Sequence, residues 1–461
     1  MNTKELETRG VPRGAMMELA KRTLATAAQQ KMAKRQIQTT ILALLEDPTP
    51  YLEDVIFGAL ATAWRDRVGY QPRVTPAPFQ CWGDEIDEQS LQQMRNACAL
   101  PISVSGALMP DAHLGYGLPI GGVLATRNAV IPYAVGVDIA CRMKLTVLDL
   151  PPAALSQQRE RLIGALEAET RFGVGAAFQQ RREHAVMDRD WAFAPVVAHL
   201  RDKAWAQLGT SGSGNHFVEY GLLTVEQEAA GLPVGVYLAL LSHSGSRGAG
   251  NVIATHYSRL AMELHPDLPK ELAYLAWLDC DSAEGREYWQ AMELMGEYAA
   301  ANHALIHRHI ARHLGVDVLL DIENHHNYAW RERHGGEEVI VHRKGATPAG
   351  AGVLGIIPGS MATPGYVVRG KGNPASLNSA SHGAGRAMSR KKAMETFTWA
   401  SAKRLLEEAG VTVLSAGIDE VPMVYKDIKS VMRAQRDLVE PLARFDPKIV
   451  KMAAAGEKPE D

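Results

Sequence analysis

The chain has 461 residues, 46% of them hydrophobic and 22% charged, with a formal net charge of −3. That is enough apolar material for a large core, and the near-neutral balance excludes a global basic field advertising nucleic acid, so any such partner must be held locally. No apolar run is long enough to span a bilayer, and the polar start MNTKELETRG lacks a signal-peptide core, so the expectation is a cytoplasmic protein with no membrane partner.

Residues 13–46, dominated by alanine, leucine, lysine and glutamine, predict a helix that Asp47-Pro48-Thr49-Pro50 ends. A second helix is expected over 51–66, and the two would form a hairpin serving packing or oligomerisation. Residues 1–80 are read as this helical extension and 81–461 as the catalytic body. From about 100 to 150 the texture changes to short apolar strands between glycines. Asp149-Leu150-Pro151-Pro152 leads into a helix over about 153–169, and 170–215 reads as irregular and polar. VGVYLALLSHSGS (234–246) predicts a buried strand running into a loop. A long helix is expected over about 283–314. VLLDIENHHNYAW and GEEVIVHRKGA predict two strand-and-loop units. The stretch 345–387 is rich in glycine, alanine, serine and proline but carries the strand formers Tyr366-Val367-Val368. A helix over about 388–409 and a charged C-terminal region follow. No internal repeat is visible, so the expected fold is α+β: one large body of mixed sheets with surrounding helices, preceded by the N-terminal helical segment.

The four cysteines, Cys81, Cys98, Cys141 and Cys280, form no C-x-x-C pair, which argues against a disulfide framework or a zinc ribbon. Five runs place potential metal ligands or nucleophiles in glycine- and serine-rich loops: GVDIAC (136–141), GSGNHF (212–217), SHSGSRG (242–248), ENHHN (323–327) and ASHGAGR (380–386). Imidazole, thiolate and carboxylate hold divalent ions, and glycine-flanked N–H groups cradle anions. Asp138 and Cys141 lie three apart, so a bend must bring them together; otherwise Cys141 is a small core residue and Asp138 a turn former. His216, His243, His325 and His326 stand at strand ends, where a sheet would hold ligands in place. The candidates exceed four, so two ions are possible, as suits phosphoryl chemistry. His303, His307, His309 and His313 share helical spacing with Arg308 and Arg312 and are read as a solvated helix face. His382 has serines before it and glycines after it, and Arg386 and Arg390 would lie one and two turns on if a helix started there. That pattern suggests an anion site with a nucleophilic histidine. Lys344 and Lys371 add cations, and the absence of a Walker A pattern disfavours an ordinary P-loop NTPase.

These residues resemble the RtcB family of RNA-splicing ligases. The stretches that carry the resemblance are MPDAHLGYGLPIGG (109–122), VGVDIAC (135–141), GNHFVE (214–219), HSGSRG (243–248), HHNYAW (325–330), HRKGATPA (342–349), IPGSM (357–361), and YVVRGKGNP through NSASHGAGR (366–386). The resemblance covers roughly residues 90–451. It implies a ligase joining an RNA 2′,3′-cyclic phosphate or 3′-phosphate end to a 5′-hydroxyl end, with GTP and two Mn²⁺. It makes His382 the histidine that takes GMP from GTP, with Asp111 orienting it. Asp138, Cys141, His216, His243 and His326 become the metal ligands, Cys141 bridging the ions. Asn215, His216, Phe217, Val218, Glu219, His326, Asn327, Pro358, Gly359, Ser360, Met361, Gly365, Gly383, Ala384, Gly385 and Lys451 become the guanylate site. Arg386 and Arg390 would hold the RNA phosphate. The resemblance leaves open an activating protein partner.

The chemistry of the residues agrees with that implication. A carboxylate such as Asp111 can fix the tautomer of a neutral histidine nucleophile. Glu219 could accept the guanine N1–H and N2–H₂ edge and so select GTP over ATP. The chain departs from the family pattern at Ala140 and Arg142, where glycine usually flanks the cysteine, and at Gly365, where a serine is usual. Two other readings compete: a metal-dependent phosphoesterase or cyclic phosphodiesterase that does not ligate, and a nucleotide- or RNA-end-binding protein without catalysis.

Overall fold

Two β-sheets organise the chain, and side-chain alternation along their strands decides where every functional group points. The structure is a computed structural model and describes residues 1–11, 15–65 and 72–457. The larger sheet has the strand order Leu354–Ile357, Gly365–Gly370, Val439–Met452, Phe217–Val225, Gly235–Ser244, Arg142–Leu148 and Val318–His325, all neighbours antiparallel. Thr412–Ser415 pairs in parallel with the end of Val439–Met452. This sheet curls until its two edges meet, and the Asn324 side chain fastens them. Its Oδ1 accepts from Ile356 N at 2.8 Å and its Nδ2 donates to Ile356 O at 3.3 Å. The smaller sheet has the order Phe79–Cys81, Ser103–His113, Ile120–Thr126, Glu337–Lys344 and Asn327–His334, with only its first pair parallel.

Period-two alternation gives the curled sheet an inside and an outside. Met143, Leu145, Val147, Ala239, Leu241, Leu223 and Ile322 pack together on the inside. Val218, Tyr220, Leu238 and Leu240 face outward and pack on Ile306, Ile310 and Leu314. Those last three belong to the 32-residue helix Ala283–Leu314, which Ser282 caps and Gly315 ends in a left-handed conformation. The pairing register sets Arg142 opposite both Ser244 and His325, and His243 opposite Phe217. Cys141, His216, His243 and His326 therefore reach one common end of the curled sheet.

The α+β expectation holds, and so do the long helix and the strand within 234–246. Elsewhere the boundaries differ from expectation. The expected helix over 13–46 is two, Ala15–Gln29 and Lys34–Glu46, because Lys31 adopts a left-handed conformation (φ 59°) that no glycine or proline announces. The second expected helix is shorter, Gly58–Arg65; residues 13, 14 and 66 lie outside the described residues. The segment 153–169 is split into Ala154–Gln157 and Arg159–Glu169. The segment 388–409 is split into Arg390–Thr396 and Trp399–Ala409, the second opened by a capping box between Thr398 and Ser401. The N-terminal helices share an apolar cluster of their own, centred on Ala20, Ile41, Leu44 and Leu60. The chain joins the body before residue 80: Arg73 N donates to Ala99 O, and Phe79–Cys81 pairs with Ser103–His113. All four cysteines are free thiols, and no helix among the described residues is long and apolar enough to cross a membrane.

Candidate active site

The bend that Asp138 and Cys141 require exists. Gly136 has φ 103° and Ala140 φ 57°, and Cys141 N donates to Asp138 O at 3.2 Å. The Asn327 side chain pins this bend by donating to Asp138 O (3.2 Å) while accepting from Gly345 N (2.8 Å). Ser246 N donates to Asp138 Oδ1 at 3.1 Å. That approach needs Gly245, because a Cβ there would lie 2.2 Å from the Asp138 carboxylate oxygens.

Two ligand groups result, and they share one sulfur. Asp138, Cys141 and His216 form one; Cys141, His243 and His326 form the other; each set of donor atoms lies within 4.8 Å. Cys141 Sγ is 3.3 Å from His216 Nε2 and 3.1 Å from His243 Nε2, and His243 Nε2 is 3.2 Å from His326 Nε2. Asp138 Oδ2 lies 3.1 Å from His216 Nε2 yet makes no hydrogen bond. Imidazole, thiol and carboxylate donor atoms converging on one another around a single buried sulfur are what ligands of common ions present. His243 Nδ1 donates to the Asn215 carbonyl at 3.1 Å, which leaves the Nε2 lone pair turned inward. Burial, reinforced by His216, lowers His243 to about 3, and burial next to His382 drives His326 well below the ordinary histidine range. Both imidazoles are neutral at physiological pH, as metal ligation would require. Burial would raise Asp138, but His216 beside it more than offsets this, so the carboxyl lies below its ordinary value. A thiolate, a carboxylate and three imidazoles fit borderline divalent ions.

His382 stands beside this cluster, its ring centroid 4.9 Å from that of His326. Its Nδ1 lies 2.7 Å from Asp111 Oδ2, and the same oxygen accepts from His382 N (3.2 Å) and Gly383 N (3.3 Å). Asp111 is fully buried. Because that oxygen already accepts from two backbone N–H groups, it meets Nδ1 as an acceptor, so in the neutral ring Nδ1 carries the proton and Nε2 the lone pair. No helix starts at His382. The histidine follows the short strand Ser379–Ser381, and the helix begins only at Arg390, capped by Ser389. The glycines at 383 and 385 turn the chain around Asp111 instead of opening a helix.

Two contiguous cavities meet at Asn215, Phe217, Pro358, Gly359 and Tyr425. The larger, about 1220 Å³, holds the metal-ligand groups, His382, Asn327, Gly383, Ala384 and Gly385. The smaller, about 420 Å³, is walled by Glu219, Ser360, Met361 and Gly365. Burial alone raises the Glu219 carboxyl well above its ordinary range. Val218 and Lys451 line neither cavity. They are cross-strand partners on the outer face, where Lys451 Nζ donates to Glu167 at 2.8 Å. The sequence gives little sign of Thr363, Glu420 and Tyr425 as wall residues; Thr363 Oγ1 accepts from Ser360 N at 2.7 Å.

Arg386 and Arg390 are engaged internally. Arg386 pairs with Glu420 at 3.3 Å and donates to Asp419 O at 2.8 Å; Arg390 pairs with Asp419 at 2.8 Å and with Glu420. The helix histidines call for a correction. His303 and His307 are 0% and 3% exposed, not solvated. They meet the outward-facing hydroxyls of the sheet: Ser242 Oγ is 2.7 Å from both His303 Nδ1 and His307 Nε2, and Thr146 Oγ1 is 2.6 Å from His307 Nδ1. Ser242 and Ser244 flank His243, so this packing braces the strand that presents that imidazole. His309 and His313 remain at the edge, beside Glu169.

Residues 93–202 and 180–452 match the family described as tRNA-splicing ligase RtcB. The chain belongs to the RtcB family. It is 36% identical to the RNA-splicing ligase RtcB of Escherichia coli (strain K12), across 79% of this chain and 94% of that protein. It is 31% identical to the tRNA-splicing ligase RtcB of Nanoarchaeum equitans (strain Kin4-M), across 78% and 91%. The tRNA-splicing ligase RtcB of Thermococcus kodakarensis is 28% identical, across 78% and 90%.

Each departure from the RtcB pattern has a structural setting. Arg142 points away from the metal-ligand groups, onto Glu323 (3.3 Å) and Gly296 O (3.0 Å), because its strand alternates there. Gly365 sits 3.2 Å, as measured from an added Cβ, from Pro358 Cα, and the Thr363 hydroxyl serves the neighbouring wall. Ala140 occupies a left-handed conformation that costs an L-residue about 1–2 kcal/mol. Ala140→Gly removes that strain but also a buried methyl worth about 0.8 kcal/mol. We expect urea unfolding to find Ala140→Gly within about 1 kcal/mol of the parent and Ala140→Val destabilised by more than about 2 kcal/mol. Equal losses in both variants would contradict a strained backbone at this position.

Proposed function

We propose that this RtcB-family chain is an RNA ligase. It joins a 3′-phosphate or 2′,3′-cyclic phosphate end to a 5′-hydroxyl end through a covalent His382–GMP intermediate, with GTP and two Mn²⁺. The observation that carries the reading is the pair of ligand groups sharing Cys141, next to a histidine whose Nε2 lone pair Asp111 keeps available. The names of the relatives point the same way.

His382 Nε2 attacks the α-phosphorus of GTP, a P–N bond forms, and pyrophosphate leaves. The RNA 3′-phosphate then takes the GMP and frees the histidine; a cyclic end must first take up water to expose that phosphate. The 5′-hydroxyl attacks the activated phosphate, and GMP departs with its phosphate. Divalent ions held by Asp138, Cys141, His216, His243 and His326 would supply Lewis-acid stabilisation of the phosphate oxygens. Asp111 holds the Nδ1 proton throughout. The guanine belongs in the smaller cavity. There Glu219, ionised against the burial that raises it, would accept from N1–H and N2–H₂, donors that adenine does not offer on that edge, and those two bonds would favour the carboxylate. Lys451, on the outer face, would reach the guanylate only by leaving Glu167. Arg386, which lines the larger cavity, and Arg390 beside it would take the RNA phosphate by exchanging their carboxylate partners.

The test is incubation of the purified chain with labelled GTP and Mn²⁺, followed by denaturing electrophoresis. The expected result is an acid-labile GMP adduct that RNA with a 3′-phosphate discharges, with joined product once 5′-hydroxyl RNA is added. Metal-dependent phosphate release without an adduct would overturn the ligase reading in favour of a phosphoesterase or cyclic phosphodiesterase. Binding of nucleotide and RNA without either reaction would overturn it in favour of a non-catalytic end-binding protein.

A further inference from the structure

One wall of the larger cavity is aromatic and open to solvent. Tyr116 is 64% exposed and Tyr274 is 41% exposed, with Leu114 also exposed beside them. Tyr116 meets Tyr274 edge-to-face at 5.5 Å between centroids, and Tyr133 meets Tyr274 in the same manner at 4.8 Å. Tyr116 and Tyr133 line the cavity that also contains Cys141 and His382. Edge-to-face packing engages the margin of a ring and leaves a π face open.

The loop that presents Tyr116 is braced rather than free. Gln93 clamps Gly115, donating to its carbonyl at 2.5 Å and accepting from its N–H at 3.1 Å. Lys344 Nζ donates to Tyr116 O at 2.5 Å. Gly117 has φ 70°, and a Cβ there would lie 2.7 Å from Tyr274 O, so the loop seats on Tyr274 at a distance only glycine allows. The backbone that carries the Tyr116 ring is thus set before anything binds, which lowers the ordering cost of binding. Such a surface is unlike the phosphate-handling part of the cavity: the Lys344 amine beneath it is spent on the Tyr116 carbonyl, and what it presents is flat apolar faces in the same cavity as Cys141 and His382. Unpaired nucleobases have the matching shape and chemistry, because every base has a π face.

We propose that Tyr116, with Tyr133 and Tyr274 behind it, is a stacking subsite for an unpaired nucleobase near the RNA end being joined. The inference rests on the RNA-ligase reading and extends it: the site grips single-stranded ends by a base face, without reading the base's identity. Its recognition is therefore sequence-tolerant and favours unpaired over duplex ends.

The test uses the full chain with short single-stranded RNAs carrying a 3′-phosphate or a 5′-hydroxyl, intact or with one abasic nucleotide near the end. An abasic nucleotide in one of the two strands should raise the KM of the parent roughly 5- to 150-fold. Tyr116→Ala should raise KM for intact RNA by a similar factor and be indifferent to the abasic change. Tyr116→Trp should restore both the low KM and the sensitivity. Thermal unfolding of each variant separates loss of binding from loss of fold, and if Tyr116→Ala is unfolded, Tyr116→Leu takes its place. Unchanged KM in the folded alanine or leucine variant overturns the inference and leaves the patch as a face for a protein partner. Equal abasic sensitivity in parent and variant also overturns it. If the parent forms no GMP adduct, the ligase reading itself has failed; an adduct in the parent with an indifferent Tyr116 sinks the stacking subsite alone.

Discussion

His382→Ala is expected to abolish the GMP adduct, by roughly 10⁴-fold or more, while leaving Mn²⁺ affinity nearly unchanged. The separation follows from geometry. The imidazole lies beside His326 but is tied through Nδ1 to Asp111, and it belongs to neither ligand group. Asp111→Asn supplies the companion result. A carboxamide can present its NH₂ to Nδ1, which forces the ring proton onto Nε2 and removes the attacking lone pair. Adduct formation should then fall by roughly 10²- to 10⁴-fold with GTP binding retained. Adduct yield by labelled GTP, set against Mn²⁺ titration by calorimetry, reads both quantities. Loss of metal binding together with the adduct in His382→Ala would mean the histidine serves as a ligand, and the assignment of roles would be wrong.

Cys141→Ser is expected to weaken both ions at once. The two ligand groups meet only at this sulfur, and a hydroxyl is a poor substitute for a thiolate toward a borderline metal. The loss should exceed the roughly 10- to 100-fold that follows from removing a hydrogen-bond partner of a ligand. Asp138→Ala should strike one ion and His326→Ala the other, since each sits in only one group. Stoichiometry by calorimetry or by paramagnetic resonance distinguishes these cases. One ion per chain in the parent, or Cys141→Ser that loses one ion and holds the other at full strength, would rule out a shared sulfur.

That Asp138, Cys141, His216, His243 and His326 would converge was legible because each stands near a place where a strand pattern gives way to glycine, serine or asparagine, as at His243 before Ser244-Gly245. The long helix was legible for similar local reasons, with Ser282 and Gly315 at its ends. What stayed hidden depends on contacts far along the chain. The burial of His303 needs Ser242, 61 residues away, and that of His307 needs Thr146, 161 residues away. Helical spacing with interleaved arginines looked like a wet face because the hydroxyls that satisfy those rings belong to strands elsewhere. Arg386 and Arg390 looked ready for an anion for the same reason, since their partners Asp419 and Glu420 come about thirty residues later. The interruptions at Lys31 and between Thr396 and Trp399 lack proline or glycine, so tertiary packing decided them.

The alternation of the curled sheet also bears on how this protein can change. In Arg142–Leu148 and Gly235–Ser244 the odd-numbered positions, such as 143, 239 and 241, face the interior, and their even-numbered neighbours, such as 238 and 240, supply the seat for the long helix. Removing one residue from Gly235–Ser244 ahead of Leu238 would exchange the two inventories, turning Ser242 into the chamber and His243 into the helix. Insertions and deletions should therefore be barred from these strands and admitted at the opposite rim, as at Ala229–Leu232 between two of them. Lineages of this protein can be expected to vary in length there while the chamber end keeps its count.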